Sequence, residues 1–279
     1  MRNQERTVSL LTIVFVAALL ATAGCSADNP VGPIGGGGST IQVDASGAGD
    51  FESVAAAVQA ATPGTVIRIG PGNFDGRIVV SQGIELVGSG PATVLTAPGT
   101  VQSYPDDSGD DDQAVIEIRG TGNIVIRDLA VRGPVDGIVV RDSFSVALMN
   151  VTSSGNGDEG VDIRNSRDVT VTGTFSDNGD IGVQARDGSA GVTVSGSTIS
   201  GNAHRGVRFR DSVGCSLSTS TIDNHIDDGV LVRDSTGAAI NDNTIAGNTG
   251  YGVRIDNAPD TVVQGNSFEM NGEGDVRED

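Results

Sequence analysis

The chain has 279 residues, a formal net charge of −19 and no lysine, a balance that excludes nucleic acid and bare anionic membrane as partners at moderate salt. Tryptophan is absent and only 3% of residues are aromatic, so no broad stacking platform for sugars is built in. Two cysteines, Cys25 and Cys215, are too few for a disulfide framework.

Residues 1–24 read as an export signal: Met1-Arg-Asn-Gln-Glu-Arg6, an apolar run from Val8 to Leu20, then Ala21-Thr-Ala-Gly before Cys25. The apolar run is too short for a comfortable membrane span. Small residues directly before Cys25 resemble the lipobox of prokaryotic lipoproteins. That resemblance implies lipidation at Cys25 and an anchor in the cell membrane or outer membrane, facing the exterior or periplasm. Residues 25–39, with the Gly35–Gly38 run, form a flexible tether, and 40–279 make one elongated domain.

The domain opens with Ile41-Gln-Val-Asp44 and then a helix capped by Asp50, its apolar face Phe51, Val54, Ala55, Val58 and Ala61, stopped at Thr62-Pro-Gly64. Such a helix would cover the open end of a core. Strands are predicted at Arg77–Val80, Ile84–Val87 and Thr93–Thr96. An insertion follows, in which Asp106, Asp107, Asp110, Asp111 and Asp112 put five carboxylates in seven residues. Carboxylate oxygens are the ligands Ca²⁺ takes, which makes Ca²⁺ the one candidate cofactor. A solvated acidic loop is the alternative, and no EF-hand spacing is present.

From Gly137 the chain repeats: Gly137-Ile-Val-Val-Arg-Asp, Gly160-Val-Asp-Ile-Arg-Asn, Gly182-Val-Gln-Ala-Arg-Asp, Gly206-Val-Arg-Phe-Arg-Asp, Gly229-Val-Leu-Val-Arg-Asp and Gly252-Val-Arg-Ile-Asp-Asn, at intervals of 22 to 24 residues. A fixed period in this range marks stacked repeats. Apolar residues one and three after each glycine give a strand with one face buried. Units this short leave no room for a crossover helix, so equivalent strands of successive coils pair in parallel. The fold class is all-β: a single-stranded right-handed parallel β-helix of about nine or ten coils with a short N-terminal capping helix. Asn156, Asn178, Asn202, Asn224, Asn248 and Asn271 recur before the next glycine as a ladder of side-chain amides. Cys215 falls at an inward strand position, and the charged stretch after Phe268 serves as a minimal cap.

Repeats such as Ser-Thr-Ile-Ser-Gly-Asn202 followed by Gly206-Val-Arg-Phe-Arg-Asp resemble those of the pectin-lyase-like superfamily, over roughly residues 40 to 275. The resemblance implies the β-helix fold and suggests a polysaccharide partner. The catalytic motifs of pectinesterases, pectate lyases and polygalacturonases are missing, so it implies no particular reaction.

The coil register supplies the candidate site. Two residues before the glycines stand Asp158, Asp180, His204 and Asp227, which parallel stacking sets side by side about 4.8 Å apart. Carboxylates beside a histidine can supply general acid and base, which makes these four the candidate catalytic residues. Arg205, Arg208, Asp162, Gln184, Tyr251 and Arg254 flank them as candidate substrate contacts. The Arg141, Arg164, Arg186, Arg210 and Arg233 column, beside Asp142, Asn165, Asp187, Asp211 and Asp234, is expected to be structural.

Two functions are open. One is an exported, lipid-anchored protein that binds or processes extracellular acidic polysaccharide as a lyase, hydrolase or epimerase. The other is a non-catalytic surface, adhesion or scaffolding solenoid. Nothing in the sequence sets the oligomeric state.

Overall fold

A computed structural model describes residues 38–98 and 113–279. The signal, Cys25, most of the tether and the five-aspartate insertion lie outside the described residues. No helix among the described residues is long and apolar enough to cross a membrane.

The chain winds as a parallel β-solenoid of about ten turns. The repeat strands, from Ile78–Val80 to Gly274–Glu278, stack into a nine-stranded sheet. The rest of each coil joins a 16-stranded sheet that folds around the other side of the core. Register follows the repeat, as in Ile138↔Val161↔Val183↔Val207↔Val230↔Val253. Opposite them stack Leu148, Val171, Val194, Leu217 and Ile240, and beside these Phe175, Ile199, Ile222 and Ile245. All these side chains are buried in one continuous core. In a solenoid each coil buries its apolar residues only against its neighbours.

The corners are tied by buried polar ladders. Asn156 Nδ2 donates to Asn178 Oδ1 (2.9 Å), and Asn178 Nδ2 donates to Asn202 Oδ1 (2.9 Å). The same oxygens accept the backbone N–H of the preceding rung, satisfying turn groups that have no strand partner. The next rung is His225, not Asn224: Asn202 N–H donates to His225 Nδ1 (3.1 Å), and His225 N–H donates to Asn248 Oδ1 (3.1 Å). Asn224 instead sits outside the ladder in a left-handed turn, at φ 60°. At another corner Ser143, Ser166 and Ser189, and again Ser212 and Ser235, form serine ladders, each serine preceded by a left-handed Asp or Asn except where Gly188 intervenes.

The repeat glycines leave space for this packing. A Cβ at Gly160 would lie 2.5 Å from Gly182 O and 2.8 Å from the ladder amide of Asn178. One at Gly206 would lie 2.7 Å from His225 Nε2.

Three further expectations change. The helix spans Val54–Ala60 and is capped by Ser53, whose Oγ accepts from Ala56 N–H (3.3 Å). Asp50 instead accepts from Gln42 N–H (2.8 Å), pinning the bend before the helix. Cys215 is a buried core residue but lies just ahead of the strand Ser216–Ser218. The C-terminal stretch does not cover the core. It adds a last strand, Gly274–Glu278, that leaves Val276 46% exposed and Phe268 only partly buried.

Candidate functional site

The outer face of the nine-stranded sheet is not the solvated surface that alternation predicts. Its outward residues Glu117, Asp162 and Gln184 are 0% exposed. The repeat arginines explain this by folding back across them. Arg141 pairs with Glu117 (2.9 Å), and Arg164 and Arg186 both reach Asp162 (2.5 and 3.1 Å). Two guanidiniums on one buried carboxylate satisfy its oxygens and offset the cost of removing it from water. Arg141, Arg164 and Arg186 are thus held by these inner carboxylates, whereas Arg210 faces Asp211 (3.5 Å) and Asp187 (3.8 Å) and Arg233 pairs with Asp256 (2.5 Å). The acidic neighbours of the arginine column add Arg186–Asp187 (3.1 Å) and, in their own column, an Asn165–Asp142 bond (2.6 Å).

Along the rim of this face runs the row set by the coil register. His204 Nδ1 lies 2.8 Å from Asp180 Oδ1, and His204 Nε2 lies 3.1 Å from Asp227 Oδ2. The imidazole is therefore clamped between carboxylates of the coils on either side. Arg205 pairs closely with the same Asp227 oxygen and also faces Asp228 (3.5 Å). The His204, Asp180 and Asp227 side chains remain partly open to solvent (41, 31 and 32%), so a ligand can reach them.

Beneath Asp158 lies a second group, which the register places one residue nearer the glycine. Asp136 and Glu159 are buried on adjacent coils, and Asp136 Oδ1 accepts from the Glu159 backbone N–H (3.0 Å). Gln184 Nε2 donates to Glu159 Oε1 (3.0 Å). Burial, reinforced by the charge of Asp162, pushes the Asp136 carboxyl up to about 7. Burial, with Asp136 and Asp162 beside it, holds Glu159 well above the carboxylate range. Asp158 is raised too, first by desolvation and then by Asp180 and Asp162. Burial thus favours the protonated form of both carboxyls. Asp136, Asp158 and Glu159 each offer an oxygen within 4.8 Å of the others, a donor set that suits a hard divalent cation.

The sequence matches the family described as right handed beta helix region over residues 114–268, more than half of the chain. The chain belongs to that family. No curated protein matches it in sequence. Among solved structures, this right-handed β-helix is similar to an alginate lyase from Paenibacillus sp. str. FPU-7, at 17% identity and TM-score 0.62 over 85% of this chain and 99% of that one. It is similar to pectate lyase Pel9A at 14% identity and TM-score 0.58, covering 86% of this chain and 78% of that one. Tailspike protein 2 of Escherichia coli O157:H7 bacteriophage CAB120 aligns at 14% identity and TM-score 0.59, over 83% of this chain and 35% of that one. At these identities the likeness is one of fold.

Within this right-handed β-helix the ten candidate residues separate by depth. Asp158, Asp180, His204 and Asp227 reach the surface in one row. Asp162, Gln184 and Arg208 lie buried behind it, and Arg208 Nε bonds Gln184 Oε1 closely. Arg205 lies between the layers. Tyr251 and Arg254 are on the next coil, in the strand Tyr251–Asp256: Tyr251 accepts from Arg277 (3.0 Å), and Arg254 donates to Asp256 (3.0 Å). His225, two residues before Asp227 in the chain, is buried in the ladder. The signal for Asp136 and Glu159 was present in the register, because both carboxyls precede a repeat glycine directly. A groove of about 460 Å³ lies elsewhere, on the elbow of the large sheet.

Proposed function

We propose that this protein binds extracellular acidic polysaccharide along the outer face of the nine-stranded sheet and transfers protons to it there. The observation that carries this reading is the solvent-open His204, clamped by Asp180 and Asp227, on the same face as the buried Asp136 and Glu159 carboxyls. A histidine between carboxylates and a carboxyl held protonated near neutrality are the two partners that lyase, hydrolase and epimerase chemistry at a sugar requires. The fold neighbours include an alginate lyase and a pectate lyase, which supports a uronate polymer as the substrate class. Arg205 would offset the substrate's carboxylates locally against a net charge of −19.

The experiment is turnover of alginate and polygalacturonate, with and without Ca²⁺, by the parent and by His204→Ala. Loss of activity with an unchanged melting temperature supports the reading. Full turnover by the variant sinks it.

One observation favours the alternative of a non-catalytic presenting surface. The polar groups of the row already pair with one another, as His204 with Asp180 and Arg205 with Asp227. That reading expects His204→Ala to lower stability with no activity to lose.

The export reading is proposed on sequence alone: a signal through residue 24, lipidation at Cys25 and a tether to residue 39. Cys25→Ser should abolish incorporation of labelled fatty acid and release the protein from membranes. Equal labelling of both forms would remove the anchor from this account.

A further inference from the structure

We propose that the elbow of the large sheet carries a second carbohydrate site, one for a neutral sugar unit, on a face separate from the His204 row. The strands Gly122–Arg132, Phe144–Ser154 and Arg167–Ser176 bend there, with Asp128 and Asn150 in left-handed conformations at φ 56° and 52°. The pairing register shifts between Leu148 and Val151, which opens the corner. The resulting groove, about 460 Å³, is lined by Glu85, Val125, Arg127, Asp128, Met149, Asn150 and Thr172. That volume falls in the range of small-ligand sites, roughly 300–1,000 Å³.

Its polar groups are fixed in place before any ligand arrives. Glu85, only 6% exposed, accepts from Arg127 Nε (2.8 Å). Arg127 Nη1 donates to Asp128 Oδ2 (2.7 Å), and Asn150 Nδ2 donates to Asp128 Oδ1 (2.8 Å). Thr172 Oγ1 accepts the Asn150 backbone N–H (3.0 Å). The Asn150 and Arg127 bonds hold the Asp128 carboxyl below its ordinary range, so it is ionised. The groove thus presents a carboxylate, an amide, a guanidinium and a hydroxyl over the apolar Val125 and half-buried Met149.

Charge selects the ligand. Two carboxylates face one guanidinium, so the lining is net negative and repels a uronate or phosphate. A purely apolar ligand would strip water from these polar groups without replacing it. A neutral sugar meets both demands, with hydroxyls for the array and a C–H face for Val125 and Met149. Asp128 and Asn150, on adjacent coils about 4.8 Å apart, span a width comparable with one pyranose ring.

The test is a titration of the full protein, labelled at its methionine methyls, with maltose, cellobiose, mannobiose and digalacturonate. One or more neutral disaccharides should shift the Met149 methyl with saturation at millimolar concentration, while the exposed Met270 methyl stays still. Digalacturonate should bind at least about tenfold more weakly. Asn150→Gly, which keeps the left-handed backbone and removes the amide, should weaken binding at least about tenfold. His204→Ala should leave the Met149 shifts unchanged, which separates this site from the row. No Met149 shift with any neutral disaccharide by ~20 mM, equal shifts with digalacturonate, or unaltered binding by Asn150→Gly would each overturn the proposal.

Discussion

His225 shows how one side chain sets a pH limit on the fold. Its Nδ1 accepts the Asn202 N–H, so Nε2 carries the proton and donates to Ile199 O (3.1 Å). Protonation at Nδ1 would set two hydrogens against each other, and burial lowers the pKa from 6.5 to about 4. The unfolded chain then binds the extra proton between these values. Stability from this group is complete above the unfolded pKa near 6.5 and is lost as pH falls toward 4. The loss is roughly 3 kcal/mol at the acid end. His225→Asn restores an amide rung, so the drop in melting temperature between pH 7 and pH 4.5 should shrink. An identical drop in both proteins would clear His225 of the effect.

Glu159 has the opposite sign. Its folded pKa is raised, so its stability is full below the unfolded value, 4.5, and fades as pH rises through the folded one. Glu159→Gln mimics the protonated form, keeping an oxygen for Gln184 and a donor for Asp136. It should flatten the decline toward alkaline pH, as read by melting curves from pH 5 to 9.

At the scale of the element, the strand and the rung fail differently. Val230 is fully buried on Val230–Arg233, between the strands Val207–Arg210 and Tyr251–Asp256. Val230→Asp puts a carboxylate between packed coils and should cost at least about 4 kcal/mol. Chemical denaturation of the two proteins measures this, and a parent-like midpoint would refute the register. Asn178→Ala leaves the Asn156 N–H and side-chain amide without the oxygen they share. That should cost about 1–3 kcal/mol. Hydrogen exchange should find the loss at the Asn156 corner, because a coil leans chiefly on its neighbours.

Over the whole molecule, 36 acidic residues face 17 arginines. Repulsion among the excess carboxylates is screened by salt, whereas the buried Arg164–Asp162–Arg186 group is sheltered. Melting temperature should therefore rise between 50 mM and 1 M NaCl. A fall would mean that surface ion pairs outweigh the net charge. The two candidate sites occupy different sheets of the same solenoid, so a chain bound in the row and a sugar in the elbow need not compete.

The sequence by itself determined the solenoid, its period and its inward columns. Each repeat carries the same apolar positions, and a β-strand places alternate residues on one side without tertiary help. It also determined the row Asp158, Asp180, His204 and Asp227, because parallel register turns equal repeat positions into neighbours. The serine ladders were legible too, in Arg141-Asp-Ser143, Arg164-Asn-Ser166 and Arg233-Asp-Ser235. Only the tertiary structure decided that His225 rather than Asn224 is the rung. Both residues are polar and adjacent, and a repeat that varies by a residue leaves their order open until hydrogen bonds fix it. Depth was decided there as well. Alternation assigns Asp162 and Gln184 outward, but whether outward means wet depends on where the long arginine side chains of neighbouring coils lie down. The elbow groove has no repeat signature, because it arises from strands of three coils bending together.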